Sequence, residues 1–311
     1  MSNIPIISRK QNFVLNRKLL YIDSNDRDII KYPNPAIFTI KCPQTYNNVE
    51  SIRMLYIQTP SNIYNISSYL QNNKLIIQDQ EITIENGYYT PVTLANSIRN
   101  SLNGTTVDVS YCSVTNKIYF YSDNDFTLNF TKNDIYYPDS SCSNYNVYIQ
   151  HSDWGLGAIL GFEKKIYNSS QVTHFLPSTN TSITNKFIIS KRVVNINNNN
   201  HLYLKINRLN QSDTIKPFTV NINNGLINSC FSQVPILKNN ENQSYNTNDY
   251  LLNNMSYFDP PLERLDKFEF SFHYHNGMLV DFQGQNIVLT LEINQIKNTI
   301  KDYDVRTPFK L

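Results

Sequence analysis

Charge is scarce in this chain. Asp, Glu, Lys and Arg together make up 17% of 311 residues, against roughly 25% in an average globular domain. The four cysteines (Cys42, Cys112, Cys142 and Cys230) lie far apart with no C-x-x-C pair. Such spacing excludes a zinc ribbon and a dense disulfide scaffold, and it suits a reducing compartment. No apolar run approaches the roughly 18 residues of a membrane-spanning helix. Met1 to Lys10 has no apolar stretch followed by a small-residue cleavage site, so secretion through a signal peptide is not expected. A net charge of only +2 argues against bulk electrostatic capture of nucleic acid and leaves only local patches open.

What replaces the charges is uncharged and polar: 46 Asn and 22 Tyr, against 8 Gly. Ile, Leu, Val, Phe and Tyr recur in short runs, so the composition is not that of a disordered chain. Tyr offers large contact area at low side-chain entropy, and Asn offers adaptable donors and acceptors. That surface suits broad neutral contacts, although an A+T-rich genome enriches the same residues. Eight N-x-S/T sequons occur, about the number chance gives at this Asn content, and they carry no glycosylation signal without a secretory route.

Along the chain, residues 1–20 read as an extended basic arm with Arg9, Lys10, Arg17 and Lys18 and no acidic residue before Asp23. Nucleic acid, an anionic membrane face and a neighbouring protein are all open as its partner. Asp23-Ser24-Asn25-Asp26-Arg27-Asp28 reads as a turn held by carboxylate–guanidinium and side-chain–backbone bonds. It is not a calcium loop, because a cation, Arg27, stands where a ligand oxygen is needed. Strands are expected at Ala36–Ile40 and Val49–Gln58. Thr90 as N-cap, Pro91 at the first helical position and Leu94, Ile98 and Leu102 on one face predict a helix. Val107–Tyr111, Lys117–Tyr121 and Phe126–Phe130 read as a three-strand meander. A short helix is expected over about Asp153–Leu160. The remainder reads as strands, with a hairpin at Asn276-Gly277 and an Asn-rich loop at 239–254. The pattern is β at both ends with a small α+β piece near 86–162.

The search for a catalytic constellation ends without one. His273 and His275, at i and i+2, would share a strand face and with Glu269 or Asp281 could reach a metal, but two polar side chains on a half-exposed strand explain them better. No G-x-S-x-G elbow is present. Gly155-Leu156-Gly157-Ala158-Ile159-Leu160-Gly161 has G-x-G-x-x-x-G spacing, one residue too long for a dinucleotide fingerprint. Those glycines read as close packing and a helix stop, and Trp154, Leu156 and Phe162 as local core. No metal, cofactor or small-molecule substrate is expected.

Leu20-Tyr21-Ile22-Asp23-Ser24-Asn25-Asp26-Arg27-Asp28, followed by Tyr32-Pro33-Asn34-Pro35 and Phe38-Thr39-Ile40, resembles the N-terminal signature of small capsid proteins of nucleocytoplasmic large DNA viruses. Ile84 to Tyr89 leading into the helix, Leu160-Gly161-Phe162, and Pro261 to Leu265 leading to Asn276-Gly277 and Asp281-Phe282 are similar to the same family. These motifs span residues 19–294 in order. One departure is Asn25, where a basic residue is expected, so any carboxylate pairing made there in the family is missing here. The resemblance implies a mainly β protein: a single jelly-roll antiparallel β-sandwich at 21–294, with the α+β insertion at 86–162, the extended arm at 1–20 and a tail at 295–311. It implies a structural virion protein, giant-virus or virophage in type, assembled in the host cytoplasm. The vertex (penton) protein as a homopentamer is the first expectation. Its neighbours would be the major capsid protein and minor capsid proteins, with the arm reaching the inner membrane or genome. A minor capsid or cement protein beneath the shell and a carbohydrate-binding sandwich of fibre or lectin type are the alternatives. Assembly contacts are expected at Arg9, Lys10, Arg17, Lys18, Tyr245 and Tyr250, and a structural turn at Asp23, Asp26 and Arg27.

Overall fold

The computed structural model describes residues 14–61, 63–131, 154–176, 181–196, 200–215, 227–236, 243–246 and 255–297. Two strands open it: β1 (Val14–Asp23) and β2 (Ile37–Thr59). The sequence suggests two strands where β2 is a single ribbon. Its two halves are joined through Cys42-Pro43-Gln44-Thr45, a bulge. Leu265 pairs with Tyr46 and Lys267 with Lys41, so two residues of the facing strand span five of β2. Extra unpaired residues bend a strand without ending it, and a proline is tolerated there because no ladder bond needs its missing N–H.

The segment after β2 builds its own core. It contains β3 (Lys74–Ile77), β4 (Gln80–Thr83), α1 (Pro91–Ser101), β5 (Asp108–Cys112), β6 (Lys117–Ser122), β7 (Thr127–Asn129), α2 (Leu156–Ile159), β8 (Ile166–Asn168), β9 (Ser170–Leu176) and β10 (Thr181–Ile189). Gln78 and Asp79, both at positive φ, make the two-residue turn between β3 and β4, the geometry that matches the twist of a hairpin. Thr90 and Thr93 form a reciprocal capping box at the start of α1, with Pro91 in its first turn. Leu94, Ile98 and Leu102 are buried, as their spacing requires. The meander is the first correction. β6 pairs with β5 and β10, while β7 joins β3 and β8 in a second sheet of order β4-β3-β7-β8. A polar turn at Ser122–Asp125 permits either arrangement, and the inward side chains Leu128 and Phe130 select the second. The apolar cluster of this segment runs from Ile66 to Ile196, beyond both ends of the expected 86–162.

The chain then returns through β11 (His201–Ile206), β12 (Ser212–Asp213), β13 (Ser229–Cys230), β14 (Ser232–Pro235), β15 (Gln243–Asn246), β16 (Met255–His273) and β17 (Val288–Lys297). β16 mirrors β2. Between Tyr257 and Leu262 it holds Asp259-Pro260-Pro261, where five steps of β16 face two of β2, from Ser51 to Val49. With β2 and β16 divided at their bends, the strands fall into two sets of four. One is β1, β17, the second half of β2, then β15 with the start of β16. The other is the first half of β2, the end of β16, β11 and β14. Every pairing among the described residues is antiparallel, and this is the strand order of a jelly roll. One apolar cluster is shared by both sets: Leu20, Ile22, Met54, Ile57, Leu289, Leu291 and Ile293 from the first, and Phe38, Phe268, Phe270, Phe272, Leu202 and Leu204 from the second. The insertion sits between the second half of β2 and β11.

Candidate assembly surface

Because side chains alternate along a strand, the residues between the core positions of the first set point outward together. Register places Tyr21 opposite Thr290, Leu19 opposite Glu292 and Arg17 opposite Asn294. Across β17, Glu292 faces Arg53 and Asn294 faces Ser51, and Ser51 faces Tyr257. The centre of this face is ionic. Glu292, whose side chain is only 4% exposed, lies 2.7 Å from Arg17 and 3.0 Å from Arg53. Asn294 donates to Glu292 Oε1 at 3.1 Å and to Ser51 Oγ at 3.2 Å.

Burial alone pushes the Glu292 carboxyl up, but hydrogen bonds from Arg53 and Asn294 and the charges of both guanidiniums hold it below its ordinary value. The pairing places one carboxylate between two guanidiniums, so that each charge in it has a partner. Around it stand exposed apolar and aromatic groups: Tyr21 at 74%, Tyr257 at 62% and Leu19 at 43%. Paired ions ringed by Tyr and Leu form a surface suited to contact, since aromatic anchors carry most of the energy at protein interfaces while rim charges contribute little.

Arg17 and Lys18 are strand residues of β1, which extends well into the stretch expected as an extended arm. Arg17 belongs to the Glu292 network. Tyr245 lies in β15 opposite Ile57, at the far margin of the same set of strands. Arg9, Lys10, Tyr250 and most of loop 239–254 lie outside the described residues.

The turn residues carry a second correction. Asp23 caps a single 3-10 turn, accepting from the Asn25 amide at 2.8 Å, and Asp26 is exposed within that turn. Arg27 is buried at 8% exposure, yet among the described residues its guanidinium meets no carboxylate. It donates to Tyr32 O at 2.9 Å, Ser24 O at 2.7 Å, Pro33 O at 3.3 Å and Asn286 Oδ1 at 2.8 Å. Backbone carbonyls are numerous in a proline-punctuated loop, and a five-donor fork can satisfy several at once. Arg27 thereby ties residues 24–33 to the loop that precedes β17. Asn25, in place of the expected base, takes a 3.4 Å bond from Asn286.

His273 and His275 do not converge. His273 ends β16 with Nδ1 against Gly277 O and Nε2 against Ser271 Oγ, both at 2.9 Å, whereas His275 Nδ1 meets the Tyr203 hydroxyl at 3.0 Å. Burial holds the His273 imidazole below its ordinary value. Among the described residues no group of three His, Cys, Asp or Glu side chains is placed to hold a metal ion. At Gly157 a Cβ would lie 2.3 Å from the Trp154 ring, and at Gly161 (φ +88°) one would lie 2.3 Å from Arg192 O. Both glycines serve packing, and Trp154, Leu156 and Phe162 are fully buried in the insertion core.

Glu292, Arg53, Leu19, Tyr21 and Tyr257 were not singled out by sequence. The signal was present in β17, where Thr290, Glu292 and Asn294 alternate with Leu289, Leu291 and Ile293.

The fold thus defines the chain as a single jelly roll carrying a large α+β insertion. No family model and no curated protein matches it. Among solved structures it is similar to the crystal structure of the mavirus penton protein, at 8% identity and a TM-score of 0.45, covering 91% of this chain and 100% of that one. It is also similar to a chain of the Sputnik virophage cryo-EM structure, at 15% identity and a TM-score of 0.41, covering 93% and 99%.

Proposed function

We infer that this chain is a structural virion protein that converts no substrate, and that it serves as the vertex protein of an icosahedral capsid, closing fivefold positions as a homopentamer. The observation that carries the reading is the outward face around Glu292: one carboxylate held between two guanidiniums, with Tyr21, Tyr257 and Leu19 exposed about it. A jelly roll offering such faces suits contact with identical neighbours, and a heterologous interface with a fivefold rotation closes a ring. The order of sequence motifs from Leu20 to Phe282, resembling small capsid proteins of large DNA viruses, supports the same reading. Neighbouring capsid proteins are then its partners and the virion its location.

Two measurements test this. Mass photometry of the purified chain should show a pentamer, weakened by Tyr21→Ala with Tyr257→Ala. A cryo-EM map of virions should hold the chain at the fivefold vertices. Density beneath the shell, away from the vertices, would replace the vertex reading by a cement role, and absence from purified virions would end the capsid reading altogether.

A further inference from the structure

Each sheet in this molecule has edges, and an edge strand presents unpaired N–H and C=O groups to any chain that can reach them. Natural proteins blunt such edges with charge, proline, bulges or shortness. Among the described residues, all but one of the edges follow that rule. β1 carries Arg17, Lys18 and Asp23. β14 has four residues and ends on Pro235, β4 has four including Glu81, and β8 has three. β5 begins on Asp108, whose carboxylate pairs with Arg99.

β9 is the exception. It is the outer strand of the sheet ordered β5-β6-β10-β9. Its seven residues, Ser-Gln-Val-Thr-His-Phe-Leu, include no Asp, Glu, Lys, Arg or Pro. Its pairing with β10 runs through seven consecutive positions without a bulge. Val172 and Phe175 are 39% and 48% exposed and lie on opposite faces of the strand. The inner side is well fixed: His174 packs on Tyr119 at 4.6 Å and Phe187 at 5.8 Å, and Thr173 bonds Thr184 at 2.7 Å through their hydroxyls. The edge is therefore rigid, regular, neutral and unblunted.

We propose that β9 is an interaction edge that pairs antiparallel with β9 of a second copy of this chain. The sequence is complementary to itself in that arrangement. Centred on Thr173, it sets Thr173 opposite the partner's Thr173, Val172 opposite the partner's His174 and Gln171 opposite the partner's Phe175. A Thr–Thr pair and a β-branched side chain beside an imidazole suit a sheet, and no like charges meet. The contact is isologous, so it joins copies two by two, and it is separate from the ring-closing face of the proposed vertex role.

Hydrogen–deuterium exchange on the full chain at about 1 and about 100 µM, with sedimentation velocity at the same concentrations, tests the proposal. The expected result is protection of the β9 amides that rises with concentration alongside a larger species. Phe175→Lys and Val172→Lys, each at an exposed position, should abolish both and weaken association at least about tenfold, with the thermal melt unchanged. Thr173→Cys should give a disulfide-linked dimer under mild oxidation. Three results overturn the idea: outward-pointing β9 amides, those not bonded to β10, fully protected at the lowest concentration, meaning cover within one chain; the same amides free at both; or concentration-dependent protection of them that survives both lysine variants. A pentamer that joins no second pentamer, with its outward β9 amides free, sinks this proposal and leaves the vertex reading standing. Concentration-dependent β9 protection without any pentamer does the reverse.

Discussion

At the scale of single residues, the molecule spends its few charges on fastening rather than on display. Glu292 is the clearest instance. Its carboxyl titrates below its ordinary value in the folded chain, so the unfolded state binds its proton more readily. The stability it supplies is complete above the ordinary carboxylate range and is lost as pH falls through the folded value. Glu292→Gln leaves Arg17 and Arg53 facing each other without a counter-ion. It should cost about 2–3 kcal/mol at neutral pH, somewhat less than a fully buried broken pair because Arg17 is more than half exposed. Urea midpoints from pH 3 to 7 check this: the wild type should lose stability toward the acid end, and the variant should show a flatter profile. Arg27 is a different case, because its partners are carbonyls and an amide oxygen. Arg27→Lys keeps the charge but offers one point where a fork is needed. About 2 kcal/mol should be lost, read as a lower denaturation midpoint at unchanged net charge.

Elements were legible in the sequence to the extent that their cause is local. The α1 helix is specified by Thr90, Pro91 and a four-residue apolar spacing, all within a dozen positions, and the structure reproduces it down to the cap. Thr90→Ala should lower stability by about 1 kcal/mol, because it removes an acceptor for the Thr93 amide, measurable by thermal melting. The Asn276-Gly277 turn was legible for the same reason, with Gly277 at φ +80° and the Tyr274 amide bonded to Met278 O. Which sheet a strand joins is not a local matter. β7 reads as the third strand of a meander, yet its partners are β3, some fifty residues earlier, and β8, almost forty later. The unity of β2 was equally hidden, because Pro43 signals an end when the neighbours across a bulge are unknown. The Glu292 surface needed three strands far apart in sequence, so alternation in β17 could show which side chains share a face but not that Arg17 and Arg53 would close on the acid.

At the scale of the whole molecule, the two large apolar clusters among the described residues are one shared by the two halves of the jelly roll and one inside the insertion. Cooperative units in a protein follow contiguous packing, and these clusters have no residue in common. The insertion is entered after Thr59 and left before His201, so its loosening need not separate β2 from β16 or β17. Gly157→Ala is the perturbation that separates the two, since the added methyl must displace Trp154 and Phe130, both inside the insertion core. Overpacking of this kind costs about 1–3 kcal/mol. Native-state hydrogen exchange should show amides of β5, β6 and α1 opening sooner in the variant, while those of β16 and β17 keep their wild-type protection. Equal acceleration in both sets would mean that the two cores unfold as one. Insertion and jelly roll would then have to be treated as a single cooperative body, in which a change at the insertion's free edge also loosens the face around Glu292.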